Sequence, residues 1–312
     1  MSARATRILT RVLVAIAGLS AAVVLGTTPA AAVADGTLVS FGQYPFAVRL
    51  TMTHIPRPDG TFYNSACSAA LISPTWIITA GHCFHNVNRV PVSGPVPYAT
   101  TATLNTAEGN TAEGNTAEGN TPEGNTVAGN TVEGNTVAGS TVAGDERGHP
   151  GHWVDLVDLL YPAPGENRDV VYVQQSNRND IALARLSKPV ANVTPLGLSE
   201  AGPAAGAMLT IAGWGATTSI IPTPSTRLSI GRVKIQTVNP TTTTVVGYYP
   251  AADTSACLYD SGAPYFTTPP GAAPLLVSTE SNGPDCPHTS AETTARVDII
   301  INWIKTTVPD LP

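Results

Sequence analysis

The sequence predicts an all-β body that ends in a single α-helix. Short apolar or alternating runs, separated by Gly, Pro, Asn and Ser, are typical of strands. These runs are residues 46–52, 68–72, 76–80, 153–160, 208–214 and 228–238. Near the carboxyl end the pattern changes, because apolar residues recur at helical spacing until Pro309 ends the run. The apolar positions of this predicted helix are Val297, Ile300, Ile301, Ile304 and Val308.

The first 32 residues have the pattern of an export signal. Arg4, Arg7 and Arg11 give a basic start, and the run 12–25 contains only apolar and small residues. Residues 30–32 are alanines, which suit cleavage by a signal peptidase. The run of 14 residues is short for a transmembrane helix. We therefore expect a signal peptide at 1–32 and a secreted, extracellular product without a membrane anchor.

The charge balance argues against one class of partner. The formal net charge is −6, and it becomes −9 when the three arginines of the signal are removed. Nucleic acid requires a basic protein face that neutralises its phosphates. We therefore expect no nucleic-acid partner.

Residues 105–144 are eight tandem copies of a five-residue unit, from Asn105–Gly109 to Ser140–Gly144. Each copy contains a glycine, lacks aromatic residues and has few, small apolar side chains. Such a segment buries too little surface to offset the cost of ordering its backbone, roughly 1–2 kcal/mol per residue. The composition predicts a flexible insertion. Without it and the signal, about 240 residues remain, which is enough for one substantial core.

The four cysteines lie in two closely spaced groups, Cys67 with Cys83 and Cys257 with Cys286. In an exported protein, an even number of cysteines favours disulfides over metal or redox sites. Four cysteines allow three pairings, and spacing alone leaves all three open. His149 and His152 are spaced like metal ligands, but no third ligand accompanies them, so we expect no metal site.

Three separate segments carry the residue types of nucleophilic catalysis. Ser261 lies between an aspartate and a glycine in the segment 257–264. A serine hydroxyl is a weak nucleophile unless a nearby base accepts its proton. His82, which follows the apolar run 76–80, is the candidate base. Asp180 is the candidate carboxylate that would orient this histidine.

These segments resemble the histidine, aspartate and serine motifs of the chymotrypsin-like (trypsin) serine proteases of the secreted bacterial type, in that family's chain order. Residues 42–48, 212–215 and 297–307 resemble three further segments of the family. The resemblance implies two packed six-stranded antiparallel β-barrels with a C-terminal α-helix. The implied trypsin-like domain covers 33–312, with a first barrel at about 36–180 including the insertion, a second at about 190–296 and a helix at 297–308.

The resemblance implies a catalytic role for individual residues. His82, Asp180 and Ser261 would form the catalytic triad at the junction of the barrels. The backbone N–H groups of Tyr259 and Ser261 would form the oxyanion hole. The cysteine spacings match two disulfides of the family, which would be Cys67–Cys83 and Cys257–Cys286.

An ion pair at the mature N-terminus is also implied. In the family, the free amino group of the mature chain pairs with the carboxylate that precedes the nucleophile, here Asp260. Counting back from Gly42 by the family pattern places the mature start on or near Val33. Cleavage after residue 32 gives the same start, so export itself would create the activating terminus.

The sequence departs from the family pattern around the nucleophile and the specificity pocket. Tyr259 stands at the position of a glycine that donates to the oxyanion, and Ala263 replaces another glycine. Ser255 occupies the pocket floor, where trypsins have aspartate. Glu292 is expected near the back wall, where it would restore some preference for basic residues. Residues 278–283 stand where the family pairs with the substrate backbone, but they lack the usual tryptophan and their register stays open.

The function that the resemblance implies is a serine endopeptidase that hydrolyses peptide bonds through an acyl-enzyme. Its partners would be protein or peptide substrates, its state monomeric, and no cofactor is implied. Two alternatives stay open. One is a protease-like binding module whose oxyanion hole is spoiled by Tyr259, and the other is an esterase that uses the same triad.

Overall fold

The computed structural model describes residues 32–106 and 165–312. The expected signal peptide up to residue 31, the repeats from residue 107 and the histidines at 149 and 152 lie outside these ranges. The strand expected at 153–160 lies outside them as well.

Seven of the fifteen described strands form the first sheet. The short β1 (Thr37–Leu38) precedes them and joins the second sheet. The seven are β2 (Ala47–Pro56), β3 (Phe62–Ser73), β4 (Trp76–Thr79), β5 (Gly94–Pro95), β6 (Ala99–Leu104), β7 (Glu166–Gln175) and β8 (Ala182–Leu186). Six of them close an antiparallel barrel in the order β7-β6-β2-β3-β4-β8, because β8 pairs back onto β7.

The second sheet closes in the same way. Its strands are β9 (Gly197–Leu198), β10 (Met208–Gly213), β11 (Ser229–Val238), β12 (Thr242–Tyr249), β13 (Pro264–Thr267), β14 (Leu275–Asn282) and β15 (Glu292–Arg296). Six of them close an antiparallel barrel in the order β11-β10-β13-β14-β15-β12, because β12 pairs back onto β11. The predicted fold class, two packed six-stranded β-barrels, is confirmed.

The strand patterns follow from which face each strand buries. Along β11, Val233 and Ile235 point into the core, whereas Arg232 and Lys234 point to solvent, as expected for a strand with one buried face. The strand β4 is buried at every position, which explains its continuous apolar run. The sequences of β4 and β11 therefore carry the burial that these strands have in the barrels.

Aromatic side chains join the two barrels. The ring of Phe46, which directly precedes β2, meets the ring of Phe266 from β13 edge-on, with 5.3 Å between the ring centroids. Tyr44 contacts the same Phe266 ring, and Trp214, which follows β10, belongs to the same buried cluster. One continuous core therefore fixes the first barrel against the second, which is the junction where the candidate site lies.

The chain ends in a short helix, α1 (Ile301–Thr307), preceded by a single tight helical turn at Asp298–Ile300. Val297, Ile300, Ile301 and Ile304 are buried, as the apolar pattern predicts. The regular helix begins four residues later than the expected 297, because the first apolar residues lie in the tight turn.

Two boundaries differ from the expected barrel limits. The first barrel extends past residue 180, since β8 pairs with β4 and β7. The strand β1 lies within the expected first-barrel range, yet it pairs with β11 of the second barrel. The barrel to which β8 and β1 belong is decided by strands that lie far away in the sequence. A local sequence pattern does not reveal such pairing partners.

Candidate active site

The first barrel contributes the histidine and the aspartate of the site. His82 lies in a tight turn, Gly81–Cys83, directly after β4, and the disulfide Cys67–Cys83 ties this turn to β3. The imidazole Nδ1 of His82 lies 2.7 Å from Asp180 Oδ2, and the backbone N–H of His82 donates to Asp180 Oδ1 at 2.9 Å. Two contacts to one carboxylate fix both the position and the ring plane of the histidine.

The surroundings of Asp180 favour its ionised form. Burial raises the pKa of Asp180, but hydrogen bonds from His82 and Ser281 outweigh this effect and hold the pKa below its usual value. The hydroxyl of Ser281 donates to Asp180 Oδ2 at 2.7 Å. A carboxylate held in this way stabilises an imidazolium and orients the ring through its Nδ1.

The second barrel contributes the serine. The Oγ of Ser261 lies 2.9 Å from His82 Nε2, although the two residues are 179 positions apart in the chain. The carbonyl of Ser261 accepts the N–H of Ser68 at 2.9 Å, a hydrogen bond between the nucleophile segment and β3 of the first barrel. Gly262 has φ +83°, and a Cβ there would lie 2.4 Å from the Ser68 carbonyl. Only glycine allows the barrels to approach so closely at this turn.

This geometry is that of an activated hydroxyl. The Ser261 proton has an acceptor in the His82 imidazole, and the imidazolium that results has a counter-charge in Asp180. The sequence analysis placed these three residues in separate segments, and the structure brings all three together.

A model of the trypsin family matches residues 34–142 and 163–304. The chain belongs to the trypsin family. The matched ranges contain all three residues of the site and both barrels. The family is one of chymotrypsin-like serine-type peptidases, which act on protein or peptide substrates. A comparison with curated proteins gives no match.

Tyr259, at the position where the trypsin family has a glycine, adopts a left-handed backbone conformation with φ +75°. The carbonyl of Leu258, in the same peptide unit as the Tyr259 N–H, accepts the N–H of Ala216 at 2.8 Å. In a trans peptide the C=O and N–H bonds point in opposite directions, so the Tyr259 N–H points away from Ala216. The Tyr259 carbonyl in turn accepts the hydroxyl of Ser68 at 3.3 Å.

Asp260 is fully buried behind the nucleophile. Its carboxylate accepts the N–H groups of Gly215 at 2.8 Å and Cys257 at 3.0 Å. Burial nevertheless raises the pKa of Asp260 to about 7. A Cβ on Gly213 would lie 2.0 Å from Asp260 Oδ1 and 3.2 Å from Cγ2 of Val33, so Val33 and Asp260 adjoin the same glycine.

A small cavity opens beside Ser261. The residues that line it include Ala256, Cys257, Glu280, Gly283 and Pro284. The lining contains neither Ser255 nor Glu292, the two residues expected in the specificity pocket. Both are only 1% exposed, and Glu292 Oε2 accepts the N–H of Ala256 from behind the cavity wall at 2.9 Å. Burial raises the pKa of Glu292 to about 7.

Sequence reasoning missed Glu280 and Ser281. Their segment lacks the tryptophan that would have fixed its register against the family pattern. The contact between Ser281 and Asp180 now fixes it, and Glu280 therefore lies on the cavity side. The signal that could have located this segment was its spacing from Cys286 in the sequence. The disulfide between Cys286 and Cys257 lies at the wall of the same cavity.

In the ranges 32–106 and 165–312, no three or more His, Cys, Asp or Glu side chains are grouped so as to hold a metal ion. In this part of the chain, no helix has the length and apolar character that a membrane span requires.

Proposed function

We propose that this chain is a secreted serine endopeptidase that uses His82, Asp180 and Ser261 as its catalytic triad. The observation that carries the proposal is the continuous line of contacts from Asp180 through His82 to Ser261, at 2.7 Å and 2.9 Å. A contact between a histidine and an aspartate, or between a histidine and a serine, arises by itself in many structural settings. All three groups in line, within a trypsin-family fold, favour catalysis over a purely structural role.

The proposed reaction proceeds through an acyl-enzyme. His82 accepts the Ser261 proton as the Oγ attacks the substrate carbonyl, which forms a bond from Oγ to carbon and places negative charge on oxygen. His82 then donates that proton to the leaving amine, and the peptide bond breaks. A water molecule, deprotonated by the same imidazole, hydrolyses the ester and restores Ser261. Asp180 stabilises the imidazolium in both halves of the reaction.

The N–H groups of Tyr259 and Ser261 are the proposed oxyanion donors. The hydrogen bond from Ala216 to the Leu258 carbonyl supports this role, because it turns the Tyr259 N–H to the opposite side of the peptide plane. The left-handed conformation of Tyr259 is one that glycine adopts without strain. The tyrosine therefore keeps a glycine-like backbone, which favours an enzyme over a binding module.

The mature chain is proposed to begin at Val33, with 1–32 removed as a signal peptide, and to act as a monomer. Its free ammonium group would then pair with Asp260. The burial of both residues beside Gly213 supports this pairing. A fully buried carboxylate with a raised pKa is costly when ionised, and an ammonium group within contact distance would remove that cost.

A fluorophosphonate probe, which bonds covalently to an activated serine, tests the proposal. We expect the secreted protein to be labelled at Ser261 and to cleave a library of peptides, whereas Ser261→Ala is neither labelled nor active. Protein that folds, as judged by circular dichroism, but is not labelled would favour the binding module. Labelled protein that cleaves only esters would favour the esterase.

A further inference from the structure

The backbone of Glu280 is fixed directly against the nucleophile segment. Its N–H donates to the Ala263 carbonyl at 2.9 Å, and its carbonyl accepts the Gly262 N–H at 2.8 Å. The next residue, Ser281, is held by Asp180. With hydrogen bonds on both sides, Glu280 has one position available, and there its side chain lines the cavity that it shares with Ser261.

The side chain of Glu280 is fixed as well. It is 4% exposed, and the hydroxyl of Tyr265 lies 2.9 Å from its Oε2. The same hydroxyl lies 2.6 Å from Oε1 of Glu292. A tyrosine hydroxyl has one proton to donate, so the second of these contacts requires a proton on a carboxyl group. Glu280, Tyr265 and Glu292 therefore form one buried network around a shared proton.

The cavity is small, and Glu280 has the largest side chain of the residues that line it. It has room for about one water molecule. Two of the other lining residues, Ala256 and Gly283, have almost no side chain and leave space. The Glu280 carboxyl group is hydrogen-bonded to the fully buried Tyr265 on the inner side of this lining.

We infer that this cavity accepts the side chain of the residue whose carbonyl Ser261 attacks, that it accepts only short, uncharged side chains such as those of alanine and serine, and that Glu280 sets this limit. The inference rests on the proposed function. A leucine or phenylalanine side chain would press apolar surface onto a carboxyl group and break its hydrogen bond to Tyr265. An aspartate or glutamate side chain would bring a second carboxyl group against that of Glu280, in a cavity whose lining contains no Lys, Arg or His. A lysine or arginine side chain is far larger than a space for about one water molecule, so it enters only if Glu280 leaves the network.

A series of peptides that differ only at the attacked residue tests the inference with the mature, full-length protein. The variants are Ala, Ser, Leu, Phe, Lys and Glu, and rate constants are expressed per serine labelled by fluorophosphonate. We expect kcat/KM for Ala and Ser to exceed that for each of the others by about tenfold or more, since one misplaced methylene costs that much in a tight pocket. In Glu280→Ala, kcat/KM for Leu should rise by about tenfold or more.

Two further variants separate size from charge and from general effects. Glu280→Gln keeps the size and the contact with Tyr265, so the preference for Ala and Ser over Leu, Phe and Lys should persist. Glu200→Ala is the matched control, because Glu200 is an exposed carboxylate paired with Lys305 on the surface, and its removal should leave the rank order unchanged. If Glu280→Ala fails to fold, the wild-type series and Glu280→Gln still decide the question.

The outcomes separate this inference from the proposed function. Labelled enzyme that prefers Lys, Phe or Leu, or a Glu280→Gln variant that accepts them, overturns the role of Glu280 and leaves the triad standing. Protein that is neither labelled nor active toward any peptide overturns both.

Discussion

The first-barrel side of the site and the second-barrel side each place a carboxylate near Ser261, and the two carboxylates differ in acid strength. Asp180, on the first-barrel side, has its pKa lowered although burial opposes this, because His82 and Ser281 donate hydrogen bonds to it. Asp260, on the second-barrel side, has its pKa raised to about 7 by burial. Hydrogen bonds from the backbone N–H groups of Gly215 and Cys257 do not compensate for full burial.

The difference bears on the proposed start of the mature chain at Val33. The first-barrel side holds its acid, its base and their hydrogen bonds within the folded chain. The second-barrel side holds an ionisable group whose donors are neutral, and a free N-terminal ammonium group at Val33 would complete it. Removal of the signal would therefore act on the second-barrel side and leave the first-barrel side as it is.

Substitutions in the triad should give the largest effects on kcat. One of them changes the second-barrel side and the other changes the first-barrel side, so the two sides can be compared directly. Ser261→Ala should lower kcat by roughly a millionfold, because no nucleophile remains. Asp180→Asn should lower it by roughly ten-thousandfold, because the amide no longer stabilises the imidazolium. Both are measured with the best peptide of the series, and thermal unfolding serves as the control for folding.

The pH profile of the wild-type enzyme tests the same residues. The rate should rise with pH as His82 loses its proton, since only the neutral imidazole accepts the proton of Ser261. A flat profile, or turnover by Ser261→Ala close to that of the wild type, would contradict the assigned triad.

A one-residue extension at the N-terminus should have the next largest effect, which is on the fraction of the protein in its ordered, active form. Protein that retains an alanine before Val33 lacks the ammonium group at Asp260. Breaking a buried ion pair costs roughly 3–5 kcal/mol, so the ordered active form should be strongly depleted. The measurements are N-terminal sequencing of secreted protein, fluorophosphonate labelling and urea unfolding of both forms. A natural start several residues from Val33, with full activity, would contradict the pairing.

The extension should also change how stability depends on pH. In the extended form the folded-state pKa of Asp260 is about 7, above the ordinary value of 3.8. The unfolded state then ionises first, so this carboxyl group lowers stability progressively from about pH 4 to pH 7. In the form that starts at Val33, the ammonium group stabilises the carboxylate and removes this loss. The stability difference between the forms should therefore be larger at neutral pH than at acid pH.

Tyr259→Gly should have a small effect. If the Tyr259 N–H already faces the oxyanion, glycine keeps that donor and relieves the left-handed conformation, so kcat should change by only a few-fold. Ala263→Gly is the matched control, because it also restores a family glycine nearby without altering a proposed donor. A rise of roughly a hundred- to a thousandfold in Tyr259→Gly alone would mean that the tyrosine spoils the oxyanion hole.

The sequence was informative where function depends on local patterns. His82, Asp180 and Ser261 each stand in a short motif, and β4 and β11 each carry their burial as an apolar or alternating run. It was not informative for strands rich in polar and threonine residues, such as β7 and β15, because such strands form only when a partner covers one face. Glu280 was missed for a related reason.

The position of Glu280 depends on pairing between strands. The register of β14 shifts by one residue against β13, between Tyr265 and Phe266. A shift of one residue exchanges the two faces of a strand. No pattern within residues 278–283 indicates that exchange, so only the partner strand reveals which side chain enters the cavity.

Deleting the repeats should have the smallest effect, and the structure indicates where the deletion must begin. Asn105, the first residue of the repeats, is 1% exposed, and its carbonyl accepts the N–H of Gly42 at 3.0 Å. Its N–H donates to the Ala47 carbonyl, and its side-chain amide donates to the Gln43 carbonyl. The next residue, Thr106, accepts the N–H of Glu166 at the start of β7. These two residues therefore belong to the first barrel, and the deletion that spares them begins at 107.

A matched pair of deletions tests this division. Removing 107–144 should change the free energy of unfolding by only about 1 kcal/mol, because loop-closure entropy varies slowly with length, and peptide cleavage should persist. Removing 105–144 should cost roughly 1–3 kcal/mol more, since the Gly42 N–H and the Ala47 carbonyl lose a buried partner. Urea unfolding and fluorophosphonate labelling measure both effects.

Two outcomes would contradict this division. If removal of 107–144 abolished the folded state, the repeats would be part of the core. If the two deletions were equally stable, Asn105 would contribute nothing to the first barrel. The expected order of the two deletions would mean that Asn105 and Thr106 complete the first barrel, and that catalysis depends on the junction of the barrels and not on residues 107–144.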